Sequence, residues 1–467
     1  METMAMTPRL RAELLALAAF ALPLCALAAS GADQAGQFGA DQFGQLGANQ
    51  PLQYGVDIGV GESDNISLVP TNEVSQTIAI ADGDLAIDQQ TRTLDLRAKG
   101  VFSYLDFLQH AYKNELIGRF DGLGKLALLP GRLKWVLQDD FGQSQIDPFA
   151  ATVPANRENI NYVATGPDLT LRLGQNGFTD LSARYANTYY AVSPFDNDRL
   201  IGDAAVGLEL SPLSRISLDA SATRATFSNT LLNTNFTRDS GYAAYQLNDA
   251  RTDLTVNAGA TRVRQGNFTI TGPLATLELS HKLTPRARLT LDGGRRLTDA
   301  STAFSNLQSG ATGLVGNGNG TAIATQTTSN YTVTYGSLGW EYQWYRTNFN
   351  LTGRWERDNY VEANQFNRTT DGAEANIERR VTPNIRVQLL GGYFRTQYGN
   401  AAFTENNKLI GARVFARLGR ALELTLRYDH VTRSAVGDGQ HGYAENVVYL
   451  MLGYRPRTAA TTSGEGF

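Results

Sequence analysis

Cysteine is almost absent: the 467 residues hold one, Cys25. It lies inside an N-terminal apolar run, so removal of that run leaves none. A disulfide framework and a cysteine-ligated metal site are then both excluded. Histidine is nearly as scarce. His110, His281, His430 and His441 are scattered along the chain, which argues against a histidine-rich metal centre. Charged residues make up 18%, below the usual level of about a quarter. The formal net charge of −4 gives no basic surface for nucleic acid. No stretch reaches the roughly 18 consecutive apolar residues of a membrane-spanning helix. Long segments with a 3.6-residue apolar period are missing too, so little helix is expected.

Glycine (46) and tyrosine (20) are plentiful, and apolar residues recur with period 2. Ala421–His430 shows the pattern best. Leu422, Leu424, Leu426 and Tyr428 fall on one side of an extended strand; Glu423, Thr425, Arg427 and Asp429 fall on the other. The same alternation runs through Leu94–Lys99, Ile216–Thr223, Leu254–Ala260, Arg288–Asp292, Phe349–Glu356, Ile385–Leu389 and Ile410–Leu418. About 20 such segments follow one another, each near the roughly 9–11 residues that a tilted membrane strand needs.

The chain divides into four parts. Residues 1–28 read as a secretory signal peptide, with Arg9 and Arg11 ahead of an apolar run and Ala26-Leu27-Ala28 as the cleavage site. Leu24 is too bulky for Cys25 to serve as a lipid-modified N-terminus. Residues 29–52 form a low-complexity periplasmic leader. In it Gly-Ala-Asp-Gln at 31–34 and 39–42 and Gly-Ala-Asn-Gln at 47–50 repeat, a composition too poor in apolar residues to order itself. Residues 53–455 are the extended segments, and 456–467 a polar C-terminal tail.

The connections alternate in kind. Tight turns share proline or Asn-Asp chemistry at Leu129–Arg132, Leu210–Ile216, Leu247–Arg251, Leu283–Leu289 and Val381–Ile385. Between them lie longer polar stretches: Ile146–Asn159, Ala300–Thr328, Asn359–Asn367, Gln397–Asn407 and Thr432–His441. Short turns at one end and long loops at the other are the arrangement of outer-membrane barrels. An even strand number would leave both termini on the periplasmic side.

The alternation alone leaves a soluble sandwich open. Two features favour lipid outside and water inside. The polar face carries charge in nearly every strand, and the apolar face is often only Ala or Gly, which would leave a packed core full of voids. The expected lumen lining is Arg97, Lys99, Arg119, Lys125, Arg288, Arg354, Arg386, Arg413, Arg417 and Arg427, with Asp95, Glu356, Glu374 and Glu423. Opposed charges there either select solutes or simply stiffen the wall. Trp135, Trp340, Tyr342 and Trp344 lie near tight turns and suit an interfacial girdle. Ile78 and Ile80 break parity with Leu85 and Ile87, which predicts a bulge at Gly83. Arg262 and Arg264 have lipid-face parity, so they are placed above the bilayer on the loop side.

Catalytic groups are not in evidence. Asp429 and His430 are adjacent on a strand and therefore face apart. Asp82 and Asp84 lack the spacing of a calcium loop. Gly316–Gly320 has no following Lys-Ser or Lys-Thr to make a phosphate loop.

Tyr54–Ile66, Glu115–Pro130, Trp135–Pro148, Pro154–Asn159 and Gly166–Leu171 carry a resemblance. They are similar to a family of outer-membrane β-barrel porins associated with exopolysaccharide and exosortase (PEP-CTERM) systems of Gram-negative bacteria. The resemblance implies a barrel put in place by the insertion machinery, without cofactor or metal. Polysaccharide or small solutes would be the cargo. The expectation is an all-β protein, a single transmembrane antiparallel β-barrel of roughly 18–20 strands acting as a porin-like passive conduit. The runner-up is a structural or docking barrel plugged by Ala300–Thr328 or by the leader. A surface hydrolase comes third.

Overall fold

The computed structural model describes residues 52–309, 327–399, 403–436 and 442–456. The signal peptide, the leader repeat, Gly316–Gly320 and the tail beyond residue 456 lie outside the described residues.

The period-2 pattern becomes twenty antiparallel strands. The first five are β1 (Gln53–Ser63), β2 (Gln76–Gln90), β3 (Leu94–Phe107), β4 (Glu115–Leu129) and β5 (Leu133–Gln145). Then come β6 (Arg157–Leu173), β7 (Gly177–Tyr190), β8 (Asn197–Ser211), β9 (Ser214–Phe227) and β10 (Phe236–Asn248). β11 (Thr252–Gln265), β12 (Phe268–Thr284), β13 (Ala287–Thr298), β14 (Tyr331–Trp344) and β15 (Thr347–Tyr360) follow. The last are β16 (Arg368–Arg380), β17 (Ile385–Tyr398), β18 (Phe403–Arg417), β19 (Leu422–Val436) and β20 (Tyr443–Tyr454). Each strand pairs with its sequence neighbours. β20 pairs with β1, Leu452 opposite Ile58, so the sheet closes and no edge is left. One α-helix, α1 (Ala300–Ser309), follows β13.

All the predicted tight turns fall at one end, where the connections are two to four residues long. Register shifts at Ala127/Leu129, Glu209/Ser211 and Lys282/Thr284 sit beside these turns and relieve the change of direction. Connections at the other end are mostly longer, but two expected loops are largely strand. β17 and β18 take up most of Gln397–Asn407, and β19 takes up the start of Thr432–His441. Their polar residues belong to strands that run past the apolar belt. Gly266-Asn267 is a two-residue turn at the loop end, with Gly266 at φ 56°.

No bulge occurs at Gly83. It pairs in continuous register with Val56 on β1 and Phe102 on β3. The parity break at Ile78 and Ile80 has another cause: both side chains point inward. They join Leu105, Phe107, Ile117, Val447, Tyr449 and Met451 in a buried cluster on the inner wall at the loop end. Similar inward clusters form on β6–β7, on β9–β13 and on β14–β15. The upper interior thus holds apolar clusters beside buried polar and charged groups. Below it the inner wall turns polar, while the outer face is apolar along the strands: Val56, Ile58 and Val60 on β1 are each about half exposed.

Candidate functional site

Strand pairing assigns each predicted lumen residue a face. Register and parity carry Asp95, Arg97, Lys99, Arg119 and Lys125 to the inner face of β3 and β4, with Lys99 opposite Asp121 and Asp95 opposite Lys125. Arg97 lies 3.6 Å from Asp95 and 3.9 Å from Asp88, and is largely exposed. Arg288 faces Glu341 at 3.7 Å. Arg354 binds Glu356 at 2.5 Å, and beside them Arg368 binds Asp358 at 2.8 Å. Glu374 shares that face, opposite Thr352. Arg386 lies over the Phe415 ring at 4.1 Å, 3.4 Å from Glu378 and 3.9 Å from Glu423. Arg413 stands opposite Arg427, which pairs with Asp429; Arg417 stands opposite Glu423. The inner wall is therefore a mesh of paired charges rather than a field of one sign.

Asp429 turns inward to Arg427, while His430 turns outward to Asn446. Asp84 is engaged by Arg455 at 3.5 Å.

Trp135, Trp340, Tyr342 and Trp344 are on the outer face near the short turns. Trp340 and Tyr342 stack at 5.5 Å, and Trp135 donates from Nε1 to Thr165. A second set of outer aromatics escaped the sequence reading. The hydroxyls of Tyr185, Tyr393 and Tyr428 donate to Asp198, Asn406 and Asn446, and Asn114 donates to the Tyr104 hydroxyl. Each ring keeps its body on the apolar belt and its tip on a polar group toward the loop end. A tyrosine of outward parity with Asn or Asp on a neighbouring segment is the signal that finds them.

The anchoring of the segment after β13 also escaped the sequence reading. Asp299, just before α1, accepts from Arg199 at 2.6 Å and Arg238 at 2.8 Å. Both arginines also donate to Thr302 at 3.0 Å. Asn197 donates to Ser301. Phe304 is fully buried among Ile160, Tyr162, Ala164, Ala186 and Tyr190. Ala303 packs against Tyr331, Val333 and Tyr360 on the opposing wall, and the helix also approaches β4 and β5. α1 therefore crosses the interior. Asp299 caps it: the Thr302 amide donates to Oδ1 at 3.3 Å. Burial pushes the Asp299 carboxyl up, but the Arg199 and Arg238 guanidiniums outweigh that and hold it well below the usual carboxylate range.

A second segment, residues 146–156, reaches the same interior from the other side. Phe149 lies 4.9 Å from the Tyr398 ring, 5.7 Å from Phe366 and 6.3 Å from Phe403. Arg433 donates to the Phe149 carbonyl at 2.9 Å. Asn156 ties the loop internally through the Asp147 amide and the Asp147 and Ala151 carbonyls. Two segments thus project into the loop end, and the charged wall continues toward the short-turn end.

No family model matches the chain, and no curated protein does either. Several solved structures are similar to it over most of its length. The siderophore receptor PirA from Pseudomonas aeruginosa is 11% identical, with TM-score 0.43, covering 88% of this chain and 81% of its own. A mutant of the ferric enterobactin receptor PfeA, also from Pseudomonas aeruginosa, is 11% identical with TM-score 0.47 over 90% and 81%. PirA from Acinetobacter baumannii is 10% identical with TM-score 0.46 over 88% and 81%. A likeness this distant carries nothing on ligand or mechanism.

Proposed function

We propose that this protein is a bacterial outer-membrane conduit whose lumen is narrowed at the loop end by α1 and residues 146–156. The observation that carries the reading is the wall itself. A closed sheet satisfies its own backbone groups, which a lipid-immersed segment must do. Its outer face is apolar and flanked by aromatics, and its inner face is charged and paired. Twenty strands enclose more than side chains alone fill. Water and small polar solutes then travel along the paired charges, which favour no strong ion selectivity.

Single-channel recording in planar bilayers tests the conduit. The whole chain is expected to show small conductance steps. Replacing residues 300–328 by a short glycine linker is expected to enlarge them at least twofold. Silence from both proteins would overturn the conduit and favour the second reading, a plugged docking barrel. The two segments packed into the loop end support that alternative. The resemblance to exopolysaccharide-associated porins supplies one cargo to try. Liposome swelling with graded oligosaccharides measures its size limit.

A further inference from the structure

The outer wall between β5 and β11 carries an open groove of about 620 Å³. It runs from Trp135 past Tyr185 and Leu200 to Arg224, Asp239 and Arg264. Strand registers place its residues in two adjoining rows on the outer face. In one row Thr165 lies opposite Tyr185, Tyr185 opposite Leu200, Leu200 opposite Arg224, Arg224 opposite Thr237 and Thr237 opposite Arg264. The other row is Ala183, Gly202, Ala222 and Asp239, and Arg262 is the next residue in register, just beyond the groove's lining. Five strand steps of about 4.8 Å make the groove about 24 Å long, the length of an extended acyl chain.

The row also climbs the wall, because barrel strands tilt. Trp135 is close to the short-turn end of β5, and Arg264 is next to last in β11. The floor is made of small residues, while Tyr185 and Leu200 stand beside it, 50% and 62% exposed. At the upper end the charges do not balance. Arg264 pairs with Asp239. Asp198 is taken by the Tyr185 hydroxyl and the Asn187 amide. Arg224 and Arg262 are exposed and make no ion pair among the described residues. Guanidinium groups at the edge of an apolar surface call for an anion, and phosphate accepts their paired N–H groups.

We propose that this groove binds a phosphorylated lipid of the loop-side leaflet. One acyl chain lies on Ala183, Gly202 and Ala222, and the phosphate sits among Arg224, Arg262 and Arg264. The proposal rests on the outer-membrane reading above.

Native mass spectrometry of the detergent-purified full chain tests it. The probe is a bis-phosphorylated, hexa-acylated glucosamine disaccharide, compared with the same molecule stripped of phosphate. A one-to-one adduct is expected at collision energies that remove detergent, and at least a tenfold weaker adduct with the phosphate-free molecule. The triple variant Arg224→Ala, Arg262→Ala, Arg264→Ala and the groove-filling Gly202→Leu are each expected to lose it tenfold. The triple lysine variant is expected to lose less than threefold. Equal adducts with and without phosphate, or no adduct, would overturn the site, and this comparison needs no variant to fold. Insertion into liposomes is scored in parallel. Failure to insert strikes the membrane reading as well; insertion without phosphate selectivity strikes only the lipid site.

Discussion

At Asp299 one carboxylate serves two arginines and a helix N-terminus at once. Arg199 is 2% exposed, so removal of its partner leaves a buried cation with nothing to balance it. Such losses cost about 3–5 kcal/mol. Asp299→Asn is therefore expected to release α1, seen as larger conductance steps with the barrel still folded. The pH dependence follows from the depressed carboxyl. A folded-state pKa below the unfolded one contributes stability that is present above about pH 4 and fades only as pH falls through the depressed value. Conductance is expected to hold steady from pH 7 to pH 5 and to rise only in strong acid. Opening between pH 5 and 6 would place the control at another group. Phe304→Ala tests the apolar half of the same anchor. Its ring is fully buried, and its loss costs about 3–5 kcal/mol in a packed site. The expected outcome is again wider steps, with no pH dependence added.

Among the elements, β1 and β2 show how parity reports environment rather than backbone geometry. Gly83 faces open space, with nothing within 4 Å of an added Cβ. Gly61 faces the Tyr449 ring, which a Cβ would meet at 2.2 Å. Gly83→Val is expected to leave the urea midpoint in detergent unchanged or raised. Gly61→Val is expected to lower it, because overpacking costs about 1–3 kcal/mol of stability. The reverse result would restore a register shift at Gly83. The strands themselves were legible because a two-sided wall writes polarity into every second residue, as in β19. The upper interior was not, because Ile78 and Ile80 on the inner face read as an error of register when the inside is taken to be wet. α1 was hidden for a different reason. Its segment lacks a strong apolar stripe, and what anchors it is the carboxylate of Asp299. The partners of that aspartate lie about 60 and 100 residues earlier in the chain, at Arg238 and Arg199, a distance no local pattern spans. The polar stretches at Gln397–Asn407 and Thr432–His441 looked like loops because polarity, not alternation, was the louder signal. Their inward side chains, Glu405 and Arg433, close a buried pair at 2.6 Å.

The whole barrel depends on one joint that no hairpin supplies, between the first strand and the last. The backbone ladder seats β20 on β1, and at the loop end Ser63 donates to Glu445 and Asn446 to Asp64, each at 2.6 Å. Arg455, just past β20, adds side-chain bonds to Asp57 on β1 at 2.7 and 2.5 Å. It also lies 3.5 Å from Asp84 on β2 and 3.7 Å from Glu423 on β19. One guanidinium thus gathers acids from three strands around the closure. Asp57 is 4% exposed and Asp84 8%, so without Arg455 two buried carboxylates repel each other beside the seam. Arg455→Ala is expected to destabilise the folded barrel by about 3–5 kcal/mol. Arg172→Ala is the control. Arg172 pairs with Glu209 on the same inner wall, but their side chains are 60% and 43% exposed. Solvent screens such a pair to about 0–1 kcal/mol. Heat-modifiability on a semi-native gel measures both, because a closed barrel migrates faster than its unfolded chain. The seam variant is expected to unfold well below the wild-type temperature, and the control close to it. Equal shifts would mean that the backbone ladder and the loop-end bonds hold the last strand without the arginine, which then only covers the turn-side rim.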